Sequence, residues 1–179
     1  MKRNSTIKQR GRLLKVVDVE PITTYNPSID LEMPALNCYL ENGETFTLYN
    51  VPFDIAKAIT ALRSSYAEID VEGDDSFDGR GTIYDVMIMF SPRLTELHNS
   101  IKRVVIDSYD VGKGVYSASL YLEVDNLTVK KTLIPSHALF LAMLFKKPVF
   151  VTEEVLEISK ELGDEFFGES DDETTFKDV

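Results

Sequence analysis

The residues most able to do chemistry cluster first between positions 74 and 85. Asp74, Ser76, Asp78, Gly79 and Asp85 fall at positions 1, 3, 5, 6 and 12 of a twelve-residue calcium loop, which needs oxygen ligands at alternate positions and a glycine at the sharp turn. Against that reading, Gly81 stands at position 8 where an apolar residue pairs with a partner loop, Phe77 is aromatic, and Asp85 is shorter than the bidentate Glu that closes such a loop. An acidic insertion covering 73–81 accounts equally for Asp74, Ser76, Asp78 and Gly79. Lys130 with Lys131, Lys146 with Lys147, and the basic N-terminal arm are the side chains able to follow a phosphate backbone. Tyr84, Tyr116 and Tyr121 are the aromatics able to stack bases beside them. His98 lies among polar neighbours and reads as incidental. Cys38 is the single cysteine, set in an apolar run, and reads as a buried, inert thiol. There is no glycine-rich phosphate loop, G-x-S-x-G elbow, paired cysteine or H-E-x-x-H, so nucleotide-dependent transfer, serine hydrolysis and zinc chemistry lack support.

The elements that must position these residues follow from period and punctuation. LLKVVDVE (13–20) reads as a strand, and PITTYNPSIDLEMP, with three prolines in 14 residues, as a long loop. Residues 35–40 and 45–49 flank an Asn42-Gly43 pair that predicts a hairpin with a type I′ turn. Helical spacing of Phe53, Ile55, Ala56, Ile59 and Leu62 predicts a helix over 52–65, and Ile83, Val86, Met87 and Phe90 predict another from Thr82. Pro92 must break that pattern, leaving a second short helix capped by Ser91, with Leu94 and Leu97 on the core. Residues 103–109 and 115–124 read as strands, the latter with Ser117, Ser119 and Glu123 on a wet face; Asp125-Asn126 turns into a strand over 127–133. The run 136–145 predicts a buried helix, with Ser136 at its cap; 148–151 is a strand, and Thr152 caps a last helix that Gly163 ends. Strands and helices without regular βαβ alternation make an α+β fold: a single compact domain, its mixed or mostly antiparallel sheet carrying two hairpins and packed by about four helices.

The 179 residues suffice for one domain, 13–162, between a basic arm (1–12) and an acidic tail (163–179). The arm and tail carry opposite charge and nearly cancel, so almost all of the net charge of −11 belongs to the body, which argues against tight general nucleic-acid binding, though not against a local basic strip. No apolar run is long enough to span a bilayer, and the N-terminus has no apolar core of a signal peptide; the expectation is an intracellular, cytoplasmic protein without membrane contact.

The order of several blocks carries more than any one motif. PALNCYLENGETFTLYNVPFDIAKAI, TIYDVMIMF, VVIDSYDVGKGVYSASLYLEV and TLIPSHALFLAMLFKKPVFVTEEVL, with Pro135-Ser136-His137-Ala138 leading into Pro148-Val149-Phe150-Val151, resemble the bifunctional nuclease family over residues 13–160. The resemblance implies a compact α+β domain, a homodimer, and divalent-metal (Mg²⁺ or Mn²⁺) nuclease activity on DNA or RNA. It makes Asp85 a metal ligand and places His137 and Ser136 in the catalytic site; apart from the resemblance, Glu153 and Glu154 could reach a metal shared with Asp85 if the last helix packs beside the second. The family pattern T-H-D is Ile83-Tyr84-Asp85 here, and R-P-S-D-A is Ile134-Pro135-Ser136-His137-Ala138, so a histidine, an arginine and an acid are replaced. Metal-assisted hydrolysis needs convergent oxygen ligands and a cation for the developing charge. Two readings therefore stand side by side: a metal-dependent nuclease, and a non-catalytic dimeric binding or scaffold module on the same fold. For the second, Asp85, Glu153 and Glu154 are helix-start acids and His137 packs locally.

Overall fold

Alternating apolar residues build seven strands, and the computed structural model describes residues 11–26, 30–64 and 81–167 of the chain. In chain order the elements are β1 (Leu13–Asn26), β2 (Leu31–Leu40), β3 (Thr45–Leu48), α1 (Phe53–Arg63), α2 (Ile83–Phe90), a 3₁₀ turn (Ser91–Arg93) and α3 (Thr95–Ser100). They continue as β4 (Ile101–Asp110), β5 (Val115–Val124), β6 (Leu127–Leu133), α4 (Pro135–Leu144), β7 (Val149–Thr152) and α5 (Glu153–Phe167). One sheet of order β3-β2-β1-β7-β4-β5-β6 joins every strand, antiparallel throughout except for β4 with β7. The chain is thus a single α+β domain with an open, mixed sheet.

Register determines what each face carries. Leu14, Val151, Ile106 and Ala118 form one cross-strand row, and Val149, Val104 and Leu120 the next. All seven join a core cluster with Ile55 and Ile59 of α1, Leu139 and Phe140 of α4, and Val155 and Leu156 of α5. The helices that fill the core therefore lie against this face. Sheet coiling is strong: Phe46 of β3 meets Tyr116 of β5 edge to face at 5.2 Å. Coiling of this kind follows from the right-handed twist of each strand.

The sequence expectations differ from the structure in definable ways. The proline-rich stretch is not a long loop, because β1 runs on to Asn26 and β2 starts at Leu31, with Pro21 opposite Leu36 and Pro34 opposite Thr23. The Asn42-Gly43 turn is not type I′: only Gly43 has positive φ (+87°), and Gly43 N–H donates to the Leu40 carbonyl while Leu40 N–H donates to that of Glu44. That is a type I turn closed by one left-handed glycine, the longer hairpin loop. The two-residue type I′ geometry is at Asp125 and Asn126, both with positive φ. Ser91 starts only a 3₁₀ turn, α3 begins at Thr95, and Leu97 is exposed where Leu94 packs inward. Gly163 does not end α5, which continues to Phe167.

Candidate functional site

Asp85 is positioned by the start of α2. The Thr82 N–H donates to Asp85 Oδ2 at 2.6 Å, the Thr82 hydroxyl donates to the same oxygen at 2.9 Å, and the Asp85 N–H donates to Thr82 Oγ1 at 3.4 Å. This reciprocal capping box satisfies donors that the first turn of a helix leaves unpaired and sets a carboxylate at the positive end of the helix dipole. One carboxylate oxygen is thereby spent on the chain's own backbone.

Ser136 and His137 belong to the first turn of α4. Pro135 occupies the first helical position, and the cap residue is Ile134, which offers no side-chain acceptor; Ser136 is inside the helix and is not its cap. The α4 backbone is packed so closely against α1, β4 and β5 that Ser136 is only 4% exposed. His137, half-buried, presents its ring edge to face with Tyr84 of α2 at 6.1 Å, and Tyr84 also meets Phe140 at 4.9 Å. Burial, helped by the nearby charge of Asp54, pushes the Tyr84 hydroxyl above its ordinary pKa, so it stays a neutral donor. The structure brings the starts of α2 and α4 together through the edge-to-face contacts of Tyr84 with His137 and Phe140.

The other candidates are dispersed. Glu153 and Glu154 are exposed acids in the first turn of α5, where Thr152 Oγ1 accepts from the Val155 N–H at 3.3 Å. Among the described residues, no three His, Cys, Asp or Glu side chains gather in a way that could hold a metal ion. Asp74, Ser76, Asp78 and Gly79 of the calcium-loop pattern lie outside the described residues. His98 packs its ring against Phe145 at 5.8 Å. Cys38 is fully buried, and burial pushes its thiol up to about 12. Of the aromatics considered for base stacking, Tyr84 and Tyr116 pack towards the core, and Lys146 and Lys147 sit at the α4–β7 connection.

Sequence reasoning missed a polar cluster on the face of the sheet opposite the helices. Register places Arg103, Tyr121 and Lys130 side by side on β4, β5 and β6, with the Arg103 guanidinium 4.6 Å and the Lys130 ammonium 5.9 Å from the Tyr121 ring centre. In the next row Ser119, expected on a wet face, is only 1% exposed and donates its hydroxyl to Asp107 Oδ2 at 2.7 Å, while Lys130 donates to the same oxygen at 3.0 Å. That hydrogen bond raises the Lys130 pKa. The available signal was the alternation Arg103, Val105, Asp107 against Tyr121, Ser119.

Seven strands in a mixed sheet, with core helices on one face and two helix starts meeting at Tyr84, define an α+β domain. Residues 59–162 match the bifunctional nuclease domain family, and the chain belongs to that family. The match begins inside α1, so β1, β2 and β3, which the resemblance had taken in, lie outside it although β1 completes the sheet beside β7. No curated protein matches the chain. Among the described residues no helix is long and apolar enough to cross a membrane.

Proposed function

We propose that this chain is a non-catalytic, dimeric binding module of the bifunctional nuclease family. The observation that carries this reading is the use made of the family's site positions: Asp85 is spent on a helix cap, Ser136 is buried, and His137 stacks on Tyr84. A divalent cation in hydrolysis needs several convergent hard oxygens and an open position for the reacting phosphate. The described donor set at the α2–α4 junction, the partly occupied Asp85 carboxylate and Asp54 near Tyr84 together with the His137 imidazole and two aromatic rings, does not gather three metal-binding side chains and does not fit Mg²⁺ or Mn²⁺.

Dimer formation is supported by α2. Ile83 (64% exposed), Val86 and Phe90, at three- and four-residue spacing, share its outward side with Met89 (66% exposed). Asp85 is the single charged residue of the helix and is turned onto Thr82. An apolar helix face of this spacing is the kind that packs against a second helix.

The family's name favours a second reading, a nuclease acting on DNA or RNA, and the meeting of the α2 and α4 starts is the observation on its side. Calorimetric titration of Mn²⁺ into the wild type and Asp85→Ala separates the two. The binding-module reading expects the same weak signal from both proteins; saturable binding that Asp85→Ala removes would overturn it in favour of the nuclease.

A further inference from the structure

The two edges of the sheet are unlike. β3 is four residues long and α5 packs over it, with Lys160 of α5 pairing with Glu44 at its hairpin. β6 is seven residues long, every side chain on it is exposed or half-exposed, and its register with β5 runs from Leu133 opposite Ala118 to Leu127 opposite Val124 without a bulge. Among the described residues, no backbone group of 127–133 makes a hydrogen bond outside the β5–β6 ladder. A straight, uncovered edge presents a row of N–H and C=O groups to any extended chain, and proteins ordinarily blunt such edges with bulges, proline, charged side chains or a covering element. β6 has no bulge, proline or cover, and its two lysines, which disfavour indiscriminate pairing, leave the edge open to an acidic strand.

Three observations say what would cover it. First, in a chain of net charge −11, β6 carries Lys130 and Lys131 and no acid. Lys130 leans back over the sheet to Asp107, whereas Lys131 has no ion-pair partner among the described residues. Second, the strand continues into a groove of about 460 Å³ lined by Val115, Tyr116, Ser117, Thr132, Leu133 and Ile134. Ile134 there is 61% exposed. Third, two-fold pairing of β6 with β6 of another copy would set the central lysines opposite each other, and like charges directly opposite destabilise a strand pair. The edge is thus better complemented by a different chain than by itself.

We infer that β6 is a docking edge for an extended acidic peptide of a partner protein, added as an eighth strand. Its main chain pairs with 127–133, an acidic side chain meets Lys131, and an apolar residue at one end enters the groove beside Leu133 and Ile134. Main-chain pairing supplies affinity, and the lysines and groove select the sequence, the usual division in strand addition. The inference rests on the binding role proposed above and names its partner class.

The test uses the full chain and a fluorescent heptapeptide alternating threonine and glutamate with a terminal phenylalanine, followed by polarisation and by amide hydrogen exchange. Saturable binding is expected, weakened about fivefold or more by Lys131→Glu. Ile134→Asp should weaken it too, whereas Lys57→Glu on α1 should not, and exchange should slow within 127–133. No saturable binding, equal weakening by Lys57→Glu, or protection elsewhere than β6 overturns the inference. So does a concentration-dependent dimer that Lys131→Glu abolishes, which would make a second copy the occupant. None of these outcomes depends on nucleic-acid cleavage, so the failure of this edge and the failure of the non-catalytic reading can be told apart.

Discussion

Replacing Asp85 with alanine separates a helix cap from a metal ligand by the sign of its effect on stability. The substitution removes a carboxylate oxygen that accepts two hydrogen bonds from Thr82 and sits at the positive end of the α2 dipole. Losing such a cap costs about 0.5–2 kcal/mol. Asp85 is exposed, so water recovers part of this and the expected loss is about 1 kcal/mol. In a domain of this size that lowers Tm by about 2–4 °C. Thr82→Ala should cost a similar amount, and the double variant little more than either, because each residue is the other's partner. Urea unfolding in the presence of a chelator reads all three. An Asp85→Ala protein as stable as the wild type, or more stable, would refute the argument, since carboxylates gathered for a metal repel one another when it is stripped away.

Other consequences are independent of that one. Cys38, fully buried with its thiol pushed up to about 12, should stay unreactive towards a disulfide reagent at neutral pH and react once urea unfolds the chain; prompt labelling of the native protein would contradict the packing of β2. Asp107→Ala strands the buried Ser119 hydroxyl, and the expected loss is about 1–3 kcal/mol by urea unfolding, with Asp107→Asn costing less because it still accepts the bond. Charging the exposed side of α2 with Val86→Glu and Met89→Glu should leave circular dichroism unchanged and shift sedimentation to the 20.2 kDa protomer; a wild type already sedimenting at that mass at micromolar concentration would remove the dimer from the proposal.

The sequence made the sheet legible where polarity alternates: β5 and β6 stand at 115–124 and 127–133 as the pattern expects, joined by Asp125-Asn126. It was less legible where proline stood in a strand, because Pro21 and Pro34 read as loop signals but are accommodated in the β1–β2 ladder. Helical period located α2 but not its environment: Ile83, Val86 and Phe90 look like a core stripe, yet they face outward while Tyr84 and Ile88 face in. The candidate site was legible only as positions. The neighbouring helix starts could be named from the blocks around Asp85 and Pro135, but the burial of Ser136 and the choice of Thr82 as partner for Asp85 depend on tertiary packing and side-chain rotamer. Alternation marks the face of β4 and β5 that carries Arg103 and Tyr121, but setting these side by side with Lys130 needs the register of three strands, which no local pattern supplies.

The most direct test of the central claim is cleavage of end-labelled single-stranded RNA and DNA with Mg²⁺ or Mn²⁺ by the wild type and by Asp85→Ala, prepared identically. The capped Asp85 and buried Ser136 predict no cleavage above a blank, or the same trace from both preparations. Cleavage by the wild type that Asp85→Ala abolishes would contradict the account and establish a metal nuclease at the α2–α4 junction.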